Sequence, residues 1–264
     1  MRPWNRPWVL LAWSCNMRRF RRLHDQTIRA TVAVAGLSAL TSTLLCGLAN
    51  AASACGSSLK VGELCTCRVL ELHPTQFALG MIAVDKKESE LASKSPATLS
   101  VYQRKHPEPV VKGPAGALFI TDHHHLARAM ADRGIETTSC QLQADYSGLD
   151  ASAFWAKMAE KQWVYLYDEN GKGPRDPADL PGTVEGMKDD PYRSLAGAVR
   201  DNGGFAKAST PFAEFEWANY FRSSGISADD IQGNFRKAVK EASAIATKHS
   251  ACSLPGYRGQ RPCR

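Results

Sequence analysis

The chain has 264 residues, with 33 lysines and arginines against 26 aspartates and glutamates, a formal charge of +7. Such an excess ordinarily raises nucleic acid as a partner, but residues 1–51 hold seven arginines (Arg2, Arg6, Arg18, Arg19, Arg21, Arg22, Arg29) and one acid, Asp25. That leaves 26 bases and 25 acids in 52–264, so the global charge gives no argument for DNA binding.

The arginine-rich start reads as a targeting segment. Arg18–Arg29 is a positive n-region, Ala30–Leu48 is apolar, and Ala49-Asn50-Ala51 is an A-x-A cleavage site, with Met17 an alternative start. The run is barely long enough to span a bilayer and holds Gly36, Ser38, Thr41, Ser42 and Thr43, so a cleaved signal over 1–51 is favoured over a membrane anchor. Ala52-Ser-Ala-Cys55 is a weaker lipoprotein reading, and the pairs Arg18-Arg19 and Arg21-Arg22 leave twin-arginine export open. The expectation is an exported protein, periplasmic or secreted, with no stable membrane span after cleavage.

Cys15 and Cys46 would leave with the signal, and Cys55, Cys65, Cys67, Cys140, Cys252 and Cys263 remain. An even set in an exported chain reads as disulfides, with 15 possible pairings among six. Cys252 and Cys263 bracket a Pro/Gly-rich tail that a bridge would hold down. A bridge within Cys65-Thr-Cys67 would be strained, and structural bridges to other cysteines are favoured there over a metal or redox pair.

The remaining length, roughly 200 residues, suffices for one domain with a sizeable core, or one with a helical extension. Residues 52–64 read as a flexible start. Arg68–Leu72 reads as a strand, Pro74–Lys87 as a turn entering a helix, and Glu88–Thr98 as polar and helical before Pro96. Pro109–Lys112 and Ala117–Thr121 are β-prone runs joined by Gly113-Pro-Ala-Gly116, a hairpin pattern. A helix follows over His123–Asp132 and stops at Gly134. Thr137–Asp145 reads as a strand, then a helix starts near Asp150 and carries Phe154, Trp155 and Met158. Trp163–Tyr167 reads as a strand ending at the turn Asp168–Gly171. Helical stretches follow around Arg193–Arg200, Phe212–Arg222 and Asp229–His249. Early strands mixed with helices and a helical end predict an α+β fold.

The informative segment is Thr121-Asp-His-His-His125, where a strand gives way to a helix. Unpaired backbone N–H groups and the helix dipole favour an anion at such a corner, Asp122 offers an N-cap, and histidine can donate, accept or carry charge. Adjacent histidines on a helix fan out by about 100°, so the triplet cannot by itself converge on one metal ion. Further along, Asp190 before Pro191 reads as a helix cap, which leaves Arg193 to meet an anion or a carboxylate. Glu214, set in the aromatic run Phe212, Phe215, Trp217, Tyr220 and Phe221, needs a partner if buried, and Arg193 is the candidate.

Several of these segments together resemble the ParB-like nuclease branch of the ParB/sulfiredoxin superfamily. They are the Asp122–His125 turn, with His123 where the pattern usually has glycine, Pro74-Thr-Gln76 with Gly80, Val84-Asp-Lys86, and Lys112-Gly-Pro114. Asp189–Leu195, Pro211–Ala218 and Leu254–Tyr257 complete the match. The resemblance implies a ParB/sulfiredoxin-like mixed sheet-and-helix domain over 65–187 and a helical C-terminal extension over 188–264 with a Cys-stapled tail. It also implies a phosphate-binding corner, since members of the superfamily use this turn for nucleotide phosphates. Partition biology does not suit an exported chain, and the sulfiredoxin-type cysteine before the turn histidine is absent.

Two functions follow as expectations. In the first, a secreted nuclease or nucleotide hydrolase holds phosphate with Lys86, Gln76, His123 and Arg193. His124, His125 and Asp122 supply acid, base or orientation, with a divalent ion such as Mg²⁺ as the candidate cofactor. In the second, a non-catalytic module binds an anionic ligand, a nucleotide or nucleic acid among them, or a protein partner through the same pocket.

Overall fold

A computed structural model of the protein describes residues 54–56, 58–260 and 263, all within the compact unit Leu48–Arg264. The segment read as a signal, 1–51, lies outside the described residues, and Cys15 and Cys46 with it. The strands are β1 (Leu64–Arg68), β2 (Leu72–His73), β3 (Ala78–Leu79), β4 (Glu108–Lys112), β5 (Leu118–Ile120), β6 (Thr137–Asp145) and β7 (Lys188–Asp189). The helices are α1 (Met81–Ala92), α2 (Pro96–Lys105), α3 (His124–Asp132), α4 (Ala151–Glu160), α5 (Pro191–Asp201), α6 (Ala213–Arg222), α7 (Ala228–Gly233) and α8 (Phe235–Ala246). No helix among the described residues is long and apolar enough to cross a membrane.

The fold is α+β, built on a mixed sheet in the order β1-β6-β4-β5-β2. β6 is its longest strand, and its alternation buries Thr138, Cys140, Leu142 and Ala144. β4 and β5 form the expected antiparallel hairpin, while β4 runs parallel to β6. A bulge interrupts that parallel pairing: Val110 faces Leu142, but Val111 faces Ala144, so Gln143 is the extra residue. The bulge changes which way the following side chains point. Val110 and Leu142 join the core under α1 and α3, whereas Val111 and Ala144 pack with Phe154 and Met158 of α4. A second core lies among α5, α6 and α8, around Leu195, Val199, Trp217, Phe221 and Ala242. α1 joins the two cores, with Val84 in the first and Ile82 against the second.

Capping sets most helix starts. Asp150 accepts from the Ala153 N–H, and Asp190, before Pro191, accepts from that of Tyr192. Gly134 ends α3 at φ +66°, a left-handed conformation that glycine adopts without steric cost.

Four expected elements fall differently. The first strand occupies Leu64–Arg68 rather than Arg68–Leu72, because Cys65 and Cys67 are drawn onto β6, and Val69–Glu71 forms a 3-10 turn. Glu88–Thr98 is not one helix: α1 ends at Ala92, and Ser95 caps a new helix whose first residue is Pro96. Trp163–Tyr167 makes only an isolated bridge between Tyr165 and Gln76. Its rings pack on helices instead, with Tyr165 stacked on Phe215 at 4.1 Å and Trp163 against the α4 cluster. Asp229–His249 breaks at Asn234, which leaves helical geometry (φ −150°) and caps α8 through the Lys237 N–H.

Three disulfides join the six cysteines: Cys55–Cys65, Cys67–Cys140 and Cys252–Cys263. Cys65 and Cys67 therefore bond different partners, and the tail is stapled as its composition suggested. Residues after 53 are tied to the sheet by the first bridge, by an Ala54–Thr66 β-bridge and by the Gly62 N–H bonded to the Leu142 carbonyl.

Candidate functional site

The histidine turn is built on strained backbone. His123, not Asp122, stands at the N-cap of α3, with φ 60° and ψ 17° in the left-handed region. A side chain there costs roughly 1–2 kcal/mol relative to glycine-like freedom, which accounts for glycine at this place in the motif. Asp122 supports the turn from outside the helix, its Oδ1 accepting from the His123 N–H at 2.7 Å.

The next two histidines grip the segment before α1. His124 is buried, and its Nε2 accepts from the Thr75 N–H at 3.1 Å. His125 Nε2 accepts from the Gly80 N–H at the same distance. Burial lowers the pKa of His124 to about 3, against the pull of Asp122. Burial, followed by the charge of Arg193, holds His125 well below its ordinary value. Both rings are neutral, and with Nε2 accepting, the assigned tautomer carries its proton on Nδ1. Gly80 suits this grip because it has no side chain: a Cβ there would lie 2.5 Å from Ser194 N and 2.8 Å from its Cα. Between the two anchors, Gln76 is held at 8% exposure.

Two arginines one heptad apart on α5 organise the surroundings. Arg193 Nη2 lies 3.9 Å from Glu214 Oε2, and Arg200 bonds Glu214 directly while also meeting Asp201. Glu214 thus has the partner anticipated for it and a second one. Burial lowers the pKa of Arg193, with Glu214 opposing, but a guanidinium stays charged in a protein. Its Nε is buried with no partner.

Arg193 and Arg200 border two cavities. The turn cavity, about 440 Å³, also holds Gln76, Thr121, Asp122, Gln143, Lys161, Lys207 and Glu214. The α1–α5 cavity, about 470 Å³, also holds Lys86, Lys87, Glu90, His125, Ser194 and Asp201. Gln76, Asp122 and Arg193 therefore share one space, and Lys86, His125 and Arg193 the other. His124 and His123 line neither, and the His123 Nδ1 is buried without a partner. Lys86 is 81% exposed and 3.7 Å from Asp201. A hollow of about 550 Å³ beside Tyr257–Gln260 contains none of these residues.

Arg200, Gln143, Lys161 and Lys207 were not visible as site residues in the sequence. Arg200 alone left a trace, its seven-residue spacing from Arg193 on a helix face. Gln143 reaches the turn cavity because of the bulge, and there it accepts from Thr121 Oγ1 at 2.6 Å.

The family model described as "Putative ParB-like nuclease" matches residues 65–223. No curated protein matches the chain. The crystal structure of protein Atu1540 from Agrobacterium tumefaciens is similar at 35% identity with a TM-score of 0.69, covering 75% of this chain and 100% of that one. With the family's histidine turn in place at the head of α3 and the match running through α6, the chain belongs to the ParB-like nuclease family.

Proposed function

We propose that this is an exported ParB-like protein that binds the phosphate of a nucleotide or nucleic-acid ligand in the turn cavity and hydrolyses a phosphodiester bond there. The observation that carries the proposal is the charge of that cavity: Arg193, Arg200, Lys161 and Lys207 face only Asp122 and Glu214, on a body whose overall charge is close to neutral. Arg193 and Arg200 would hold the phosphate, the lysines at the rim would steer it, and Gln76 would donate a hydrogen bond. His124 and His125 enter as neutral acceptors that fix the Thr75–Gly80 segment, so Asp122 is the side chain placed to orient or deprotonate a water. Among the described residues no group of three His, Cys, Asp or Glu side chains is disposed to hold a metal ion. Export rests on the signal-like start and on three disulfides, which persist in oxidising compartments.

The test is a screen of the oxidised, exported protein against DNA, RNA, nucleotides and an activated phosphodiester, with and without divalent ions. Turnover that falls roughly 10²-fold or more in Asp122→Asn supports hydrolysis. The commitment of both histidines to backbone N–H groups favours a second reading, a non-catalytic binding module. It would show nucleotide affinity lost in Arg193→Gln and no turnover. The absence of both turnover and binding in the wild type would refute both readings.

A further inference from the structure

We propose that the Cys55–Cys65 and Cys67–Cys140 bridges form a thiol–disulfide relay, in which a dithiol reductant opens the outer bridge and Cys65 then displaces Cys67 from Cys140. Cys55 is half-buried, whereas Cys65, Cys67 and Cys140 are buried in the core under α1 and α3. An external thiol therefore reaches the inner bridge only through Cys65. The register puts Cys65 in position: it stands directly opposite Cys140 on the β1–β6 ladder, its Sγ 3.7 Å from the Cys140 carbonyl oxygen. Cys140 is bonded instead to its diagonal neighbour Cys67, across a Cα–Cα distance of 6.0 Å. Directly opposite residues lie about 4.5–5.5 Å apart, a span that a disulfide also bridges. Polar groups that nothing in the protein satisfies surround this inner bridge. Glu108 stands beside Cys140 on β4, and Thr138 stands opposite Cys67 on β6. Both are buried, and neither the Glu108 carboxyl oxygens nor Thr138 Oγ1 has a hydrogen-bond partner. Such unpaired burial is costly. Burial, and then the charge of Asp122, raises the Glu108 pKa well above the ordinary carboxyl value, so the side chain holds a proton. Thr138 is thus placed to donate to a Cys67 thiolate, and Glu108 to protonate it.

The dithiol attacks Cys55 Sγ as a thiolate, the Cys55–Cys65 bond breaks, and Cys65 leaves with the electron pair. Cys65 then attacks Cys140 Sγ. The Cys65–Cys140 bond forms, and Cys67 leaves as a thiolate and takes the Glu108 proton. The second thiol of the reductant attacks its own sulfur on Cys55, closes as a disulfide and releases Cys55 to be protonated. The reductant loses two electrons and two protons, one protein disulfide is reduced, and Glu108 regains its proton from solvent. Residues 54–56 lose their covalent tie to the sheet, while β1 stays cross-linked to β6. None of these residues lines the turn cavity, so the relay stands or falls independently of the hydrolase reading.

Dithiothreitol is the probe, added in graded amounts to the oxidised, exported protein under native conditions, with acid quenching, alkylation and peptide mapping by mass spectrometry. Among these four cysteines, the first species to accumulate should carry alkylated Cys55 and Cys67 and a Cys65–Cys140 cross-link. Glu108→Gln should slow formation of that cross-link roughly ten-fold or more, the loss of a proton donor, and leave the opening of Cys55 unchanged. In Cys55→Ala combined with Cys65→Ala, the inner bridge should open roughly ten-fold more slowly than in wild type, since its only attacking thiol is gone. A first species with Cys55 and Cys65 alkylated and Cys67–Cys140 intact would overturn the relay. So would an inner bridge that opens at the wild-type rate in the double alanine variant. An unchanged rate of cross-link formation in Glu108→Gln would remove Glu108 from the mechanism.

Discussion

The neutral His124 makes this fold acid-sensitive in a way that can be measured. Its pKa is about 3 in the folded chain, against 6.5 for an ordinary histidine. Because the folded pKa is depressed, the unfolded chain takes up the proton first. Stability is therefore complete above pH 6.5 and drains as pH falls towards 3. At about 1.36 kcal/mol per pKa unit, the loss is about 2 kcal/mol at pH 5 and about 5 kcal/mol below pH 3. His125 acts with the same sign. Glu108 acts oppositely: burial, and then the charge of Asp122, raises its pKa, so its contribution fades as pH rises. His124→Gln isolates the histidine, since a glutamine Oε1 can accept from the Thr75 N–H without titrating. The assay is thermal and urea unfolding of wild type and variant at pH 7.5 and 5.0. Wild type should lose about 2 kcal/mol more than the variant between these pH values, a difference of about 4–8 °C in Tm for a chain of this size. Parallel losses would refute the neutral, buried assignment.

Gly80→Ala should destabilise by about 1–3 kcal/mol, since the added methyl meets the Ser194 backbone; urea unfolding within 0.5 kcal/mol of wild type would show that α5 gives way. His123→Gly should raise stability by up to about 1 kcal/mol, the relief of a left-handed side chain less the extra entropy of glycine. A loss in chemical denaturation would mean that the half-buried imidazole contributes more than the turn costs. Glu214→Gln removes the carboxylate shared by Arg193 and Arg200, and should cost about 2 kcal/mol while tightening phosphate binding several-fold. Weaker phosphate binding measured by calorimetry would place Glu214 among the groups that hold the ligand.

What the sequence by itself determined was local. Alternation over Thr137–Asp145 marked the longest strand, Gly113–Gly116 between β-prone runs marked the hairpin, and Asp150 and Asp190-Pro191 marked helix starts, because each signal lies within a few residues of what it directs. It also placed a histidine-bearing corner at the head of α3 and a carboxylate needing Arg193 at Glu214. The Trp163–Tyr167 run misled for the converse reason: β-prone aromatic residues there pack on helices distant in sequence, Tyr165 on Phe215 among them. Only the tertiary structure decided which cysteines pair, since six allow 15 arrangements and the choice depends on β1 lying beside β6. It also decided the state of the histidines, because a neutral acceptor and a proton carrier are the same residue until burial and the Thr75 and Gly80 N–H groups select one. The division of the candidate residues between two cavities, and the entry of Arg200 and Gln143 into the site, depend on one helix face and one bulge in a parallel strand pair. The bulge leaves no mark in a linear pattern and the helix face leaves only the seven-residue spacing of Arg193 and Arg200, because what each side chain meets depends on how distant segments come together.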